Sequence, residues 1–288
     1  PVHPPGTEVV LVAETPFPNV EFLGWIGSGI STPDKATTTT RANLDKRVVA
    51  VFRAIHDVET IADLRKIGRE PGFELSDRYR LVADLDLSSE PPLETIAPDA
   101  ARAFTGIFEG NDHTLRGLRI GSPTNTHAAL FGWVAPQAEI LNLHLVAAQI
   151  SGKSTVAGIA ARNAGRILGS SIQGLVEGQF ELGGIAAVNQ GIIEDCHSSA
   201  HIWGRDQIGG IAGSNPNGRI LHVRFTGRVQ GLPNSHRVGG ICGWNDSGTI
   251  DAAASSGTVA GGSYVGGFVG HLDGSNLGTT LGTNLTVS

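Results

Sequence analysis

Four stretches of the 288-residue chain align without a gap. They open at Gly165-Arg166-Ile167, Gly191-Ile192-Ile193, Gly218-Arg219-Ile220 and Gly248-Thr249-Ile250, and each ends 13 residues later, at Gly178, Gly204, Gly231 and Gly261. The aligned columns read Ile167/Ile193/Ile220/Ile250, Ser170/Cys196/Val223/Ala253, Ile172/Ser198/Phe225/Ser255 and Val176/Ile202/Val229/Val259. Small or apolar residues at alternate positions, flanked by polar and variable ones, are the mark of strands with one face turned inward.

A second register repeats at the same interval. Ala129-Leu130-Phe131-Gly132, Ala157-Gly158-Ile159-Ala160, Gly183-Gly184-Ile185-Ala186, Gly209-Gly210-Ile211-Ala212, Gly239-Gly240-Ile241-Cys242 and Gly266-Gly267-Phe268-Val269 share one pattern, and their central apolar residues are spaced by 29, 26, 26, 30 and 27. Four residues beyond that position stand Asn163, Asn189, Asn215 and Asn245, with Val134 and Leu272 at the two ends of the column. This column predicts an asparagine ladder at a sharp turn, where the side chain tolerates unusual backbone angles and its amide bonds the coils above and below. About 27 residues per repeat suit one turn of a three-sided solenoid with coils stacked about 4.8 Å apart. A propeller blade needs roughly 40 residues, and a leucine-rich repeat has a Leu/Asn consensus that is absent. The expected fold is all-β: a right-handed parallel β-helix with a short capping helix and a small N-terminal β domain.

Ahead of the repeats, Val58, Ile61, Leu64 and Ile67 fall at helical spacing, with Asp57 as the expected N-cap of a helix over the open end of the solenoid. Tyr79 to Leu87 alternates as a strand, and Phe104 to Leu115 reads as two strands around a Gly110-Asn111 turn. The front region differs, with strands expected at Val9–Ala13, Glu21–Trp25 and Val48–Phe52, separated by a polar Gly/Ser/Thr stretch. Its first strand reads as short or missing. The expected division is 1–53 for this β domain, 54–78 for linker and helix, and 79–288 for the solenoid.

Composition narrows the function classes. Forty glycines, about twice the usual share, with 6% aromatics and no methionine favour tight turns over helical bundles. A formal charge of −6 without a basic cluster excludes the electrostatic footprint of a nucleic-acid binder. No apolar run reaches the roughly 18 residues of a membrane helix, so no membrane insertion by a helix is expected. The start at Pro1 rather than Met reads as a processed or excised piece of a longer precursor.

The element in Val238-Gly239-Gly240-Ile241-Cys242-Gly243 and Val265-Gly266-Gly267-Phe268-Val269-Gly270 resembles the GLUG motif of bacterial surface proteins, including the non-catalytic part of IgA-specific metallopeptidases. Tyr79 to Leu87 and Phe104 to Leu115 are similar to the lead-in before such repeats, and the resemblance covers about 75–274. Gly6 to Phe52, with Phe22-Leu23-Gly24-Trp25-Ile26-Gly27 and Val48 to Phe52, is similar to divergent internalin-type B-repeats. Both resemblances imply export to the cell surface or the extracellular space. Neither supplies catalytic residues, and the metallopeptidase H-E-x-x-H motif is absent.

Candidate chemistry is sparse. The nearest histidine pairs, His197/His201 and His222/His236, lack a third ligand at any recognised metal spacing, and no cofactor is implied. Strand alternation turns Asp195, His197, His222 and Arg224 outward on adjacent coils, with His201, Trp203, Arg228 and Gln230 on the next face. An exposed indole beside guanidinium groups suits a sugar or an acidic polymer, so surface glycans are one expected partner. The carboxylate pairs Asp84/Asp86 and Asp195/Asp206 are the only candidates for glycoside hydrolysis; the first reads as a turn or cap. Phe22 and Trp25 read as front-domain core. Cys196 and Cys242, about two coils apart, are expected as free thiols. Leu281 to Ser288 reads as a spare strand, from which head-to-tail self-association follows. The leading expectation is a non-catalytic extracellular structural or adhesive protein, a stalk or a filament subunit. The alternative is a polysaccharide-binding or polysaccharide-degrading β-helix.

Overall fold

The computed structural model describes residues 3–15, 19–42, 47–274, 276–278, 280–282 and 286–287. It divides into two compact units, Pro1–His56 and Asp57–Ser288. In the first, Glu8–Val12 pairs antiparallel with Thr37–Arg41, and Val20–Ile26 pairs antiparallel with Val49–Val58. The strand Thr37–Arg41 corrects the reading of the polar Gly/Ser/Thr stretch as lying between strands, and its partner Glu8–Val12 corrects the reading of the first strand as short or missing. A run of four threonines is β-branched, and Thr38 and Thr40 are buried although polar. Phe22 packs edge-on against both Trp25 and Phe52 at 5.7 Å, as expected of a local core, and the Trp25 indole donates to the Lys35 carbonyl.

The second unit is a parallel β-solenoid of about 8 turns, at about 27 residues per coil. Each coil runs through three faces. In coil 5 these are Ile192–Glu194, then His197–Ser198 with His201–Gly209, then Ala212–Ser214. Neighbouring coils pair in parallel and in register, so Phe108, Ile140, Ile167, Ile193, Ile220 and Ile250 stack on the first face. All six are fully buried. The second face stacks Ile172, Ser198, Phe225 and Ser255, also buried, and the Phe225 ring fills the space that the two serines leave. Removing each aliphatic side chain from water contributes roughly 1.5–3 kcal/mol, and the repeat multiplies that along the stack.

The Gly-Gly-Ile-Ala element folds the chain back between the second and third faces. A Cβ on Gly183, Gly209, Gly239 or Gly266 would lie 1.8–2.1 Å from the carbonyl oxygen three residues on in the same coil. One on the next glycine would meet the neighbouring coil, 2.3 Å from the Gly210 oxygen at Gly184 and 2.1 Å from the Gly240 oxygen at Gly210. Ala129, Ala157, Ala161 and Ala187 form a small buried cluster of their own. The motif is therefore a steric requirement of two backbones packed without side chains between them.

The asparagine column is a continuous hydrogen-bonded ladder. Asn163 Nδ2 donates to Asn189 Oδ1 at 2.8 Å, Asn189 to Asn215 at 2.7 Å and Asn215 to Asn245 at 2.7 Å. All four are buried, and Val134 and Leu272 occupy the flanking positions. One expectation is corrected: the ladder residues do not take the left-handed backbone. That conformation recurs at the corner between the first and second faces, at Asn142, Asp195, His222 and Ala252 with φ between 49° and 54°, and again ahead of the Gly-Gly element, at Glu181, Gln207, Arg237 and Tyr264 with φ between 49° and 56°.

Ile61–Lys66 is helical, and Val58, Leu64 and Ile67 join Tyr79 and Leu81 in the core at the start of the solenoid. Its N-cap is Thr60, in a capping box with Asp63, not Asp57, whose carboxylate instead accepts from Arg80. Tyr79 to Leu87 is two strands, Arg78–Leu81 and Leu85–Asp86, split by a solenoid corner. The tail is not spare. Thr280–Gly282 pairs with Ala253–Ser255 and Thr286–Val287 with Thr258–Val259, continuing the stack as an eighth coil. The described residues of the tail are thus paired within the chain, and residues 283–285 and 288 lie outside the described residues.

Cys196 and Cys242 are free and buried. Burial pushes the Cys196 thiol up to about 12 and raises Cys242 as well, so neither supplies thiolate at neutral pH. Iodoacetamide at pH 8 is expected to leave both unmodified in the folded chain and to alkylate both in denaturant. Labelling of the native chain by mass spectrometry would contradict this packing.

Candidate ligand-binding face

The residues expected to bind ligand gather on the second face. Its buried spine is Ile120, Ile150, Val176, Ile202, Val229 and Val259, in register across six coils. The residues on either side of each spine position point outward. One outward column runs Arg119, Gln149, Leu175, His201, Arg228; the other runs Gly121, Ser151, Glu177, Trp203, Gln230. Trp203 is 44% exposed. Arg228 donates to Gln230 at 2.8 Å.

His197 and Arg224 stand in register on the same sheet, since His197–Ser198 and His201–Gly209 share it. The two faces expected for these residues are therefore one. His197 meets the Thr226 hydroxyl at 2.9 Å. Burial, then Arg224, holds His197 below the usual imidazole range, and burial, then Arg228, does the same for His201. Both are neutral at neutral pH.

Asp195 and His222 belong elsewhere. They occupy the left-handed corner, where Asn, Asp and His are the side chains that best tolerate a positive φ. His222 Nδ1 lies 3.6 Å from Glu194 and 3.9 Å from Asp195, both exposed contacts.

The pair Asp84/Asp86 lacks the asymmetry on which acid–base catalysis rests. The Thr114 backbone N–H, donating at 2.8 Å, holds Asp84 below the usual carboxylate range, and hydrogen bonding from Ser88 does the same for Asp86. A general acid needs the opposite shift. Asp206 is paired with the Arg237 guanidinium, 3.0 Å from its Nε, and lies on the long second-face strand, whereas Asp195 lies at the corner. Among the described residues no group of three or more His, Cys, Asp or Glu side chains could hold a metal ion.

Arg119, Gln149, Ser151 and Glu177 extend this face toward the start of the solenoid, and sequence reading did not flag them. Their signal was present, since each flanks a spine residue. Coils 2 and 3 depart from the repeat, however: coil 3 opens Ala138-Glu139-Ile140 without the glycine, and the first corner of coil 2 is longer.

No protein-family model matches the chain. Its fold does recur: the crystal structure of a putative immunoglobulin A1 protease from Bacteroides ovatus superposes with a TM-score of 0.64 at 20% identity, over 81% of this chain and 75% of that one. The two share the β-solenoid fold. At that identity the likeness is one of fold alone. Halomucin from Haloquadratum walsbyi is 30% identical over 129 residues, 42% of this chain, and the match spans 1% of halomucin's own length.

Proposed function

We propose that the chain is a non-catalytic structural segment of an exported surface protein, with the solenoid as a stiff spacer and the front unit as a B-repeat-like module. The observation that carries this reading is the ladder from Asn163 to Asn245. It commits the buried polar side chains of four coils to holding the stack together, which is what a stiff spacer requires. The 129-residue likeness to halomucin supports an extracellular setting. The low-lying carboxylates Asp84 and Asp86 and the arginine-tied Asp206 support the absence of glycosidase chemistry.

Antibodies raised against the purified chain are expected to label intact cells of the source organism. Labelling only after permeabilisation would overturn the exported placement. Incubation with uronic-acid polymers is expected to release no new reducing ends or unsaturated products, and release that survives repurification would overturn the non-catalytic one.

A further inference from the structure

Two clefts lie end to end on the second face, and a third adjoins them toward the capping helix. The first, about 280 Å³, is lined by Pro123, Glu177, Gln179, Trp203 and Leu232 among others. The second, about 200 Å³, shares Ser151 and Glu177 with it and adds Arg119 and Gln149. The third, about 630 Å³, shares Pro92, Ile120 and Gly121 with the second and reaches His127. The clefts join because the outward column is small at Gly121 and Ser151, between Trp203 and the wall at Pro92. The result is a trough that crosses the coils along the solenoid axis. From Arg119 to Arg228 is four inter-coil steps, roughly 19 Å at about 4.8 Å per step.

We infer that this trough binds a linear, uronic-acid-containing oligosaccharide laid across the coils, stacked on Trp203 and held by Arg119 and Arg228. The pitch of a linear pyranose chain is close to the inter-coil spacing, so successive rings meet successive coils. The exposed indole offers a flat apolar surface for the C–H face of one ring. Gln149, Gln179, Ser151 and Glu177 supply the polar contacts that hydroxyl groups require. The acid preference rests on the two guanidinium groups. Among the described residues neither Arg119 nor Arg228 has a carboxylate partner, and Arg119 Nε is buried with no hydrogen bond, its terminal nitrogen donating only to the Glu90 carbonyl. Arg119 lines the middle cleft and Arg228 stands one coil beyond His201 on the same face, so two guanidinium groups without carboxylate partners fit two carboxylates of one chain. The neutral His201 beside Trp203 adds a hydrogen-bonding ring without adding charge.

The inference goes beyond the structural role and is independent of it, because a spacer needs no ligand. The test is isothermal titration of the full chain with an oligogalacturonate hexamer and, separately, with cellohexaose. The uronate hexamer is expected to bind, and more tightly than the neutral one. Trp203→Ala should weaken it at least tenfold, and Arg119→Gln should weaken it severalfold with a reduced salt dependence. Tyr264→Ala, at an exposed ring outside the trough, should leave it unchanged. Thermal melts of the variants control for folding. No binding of either hexamer at millimolar concentration, equal binding of the two, or a Trp203→Ala variant with unaltered affinity would each overturn the proposal.

Discussion

Gly210→Ala is expected to destabilise the chain by about 3 kcal/mol, the upper end of the range for overpacking a well-filled interior. The added Cβ would sit 2.1 Å from the Gly240 oxygen and 2.4 Å from Phe225 Cδ2. Neither neighbour can yield. The Gly240 carbonyl belongs to the backbone of the next coil, and Phe225 is fully buried between Ser198 and Ser255. Opening the gap would stretch the bond from Ile211 N–H to the Ile241 oxygen, now 2.9 Å. A solenoid is held by nearest-neighbour contacts, so a displaced central coil loses interfaces on both sides. Gly178→Ala is the comparison, with a Cβ at 3.0–3.1 Å from its nearest atoms, two of the three in side chains, and it should cost much less. Urea unfolding midpoints decide the matter, and equal midpoints for the two variants would refute the steric account of the motif.

The same glycines explain why the solenoid could be read from the chain. A steric requirement that recurs at every coil leaves a column of one residue type, and so does a ladder in which each amide needs an identical neighbour. Ile167, Ile193, Ile220 and Ile250 were legible for that reason, and so were the four asparagines. Features outside the repeat were not. Thr37–Arg41 shows no apolar alternation, because its buried positions are threonines. In coil 2 seven positions separate Ile107 from Thr114, whereas five separate Glu139 from His144 in coil 3, so the first corner broke the alignment. The candidate site was half legible. Strand alternation placed His201, Trp203 and Arg228 correctly on the outside, yet it could not show that Asp195 and His222 answer to a left-handed corner. Nor could it bring Arg119 and Glu177 into line with Trp203, since an outward column carries no shared chemistry from coil to coil.

Asn215→Ala is expected to cost about 1–3 kcal/mol for each buried partner that it strands. It removes the bonds to three, the Asn189 amide donor, the Asn245 amide oxygen and the Gly218 carbonyl. Asn215→Asp separates hydrogen bonding from mere packing. The ionised carboxylate can still accept from Asn189, but it turns two acceptors, Asn245 Oδ1 and the Gly218 carbonyl, against a buried charge where Nδ2 now donates at 2.7 and 3.2 Å. At neutral pH this variant should therefore be less stable than the alanine one. Desolvation and the facing oxygens raise the folded-state pKa of the new carboxyl above its unfolded value of about 3.9. A raised folded pKa contributes stability that is fully present below the unfolded pKa and is lost as pH rises through the folded one. Protonated, the carboxyl donates to Asn245 and accepts from Asn189, restoring both ladder bonds. The Asp variant should thus approach the parent as the buffer is taken from pH 7 to pH 4, while the Ala variant keeps its deficit relative to the parent throughout. Parallel pH profiles for the two variants would mean that the column is held by shape rather than by its hydrogen bonds.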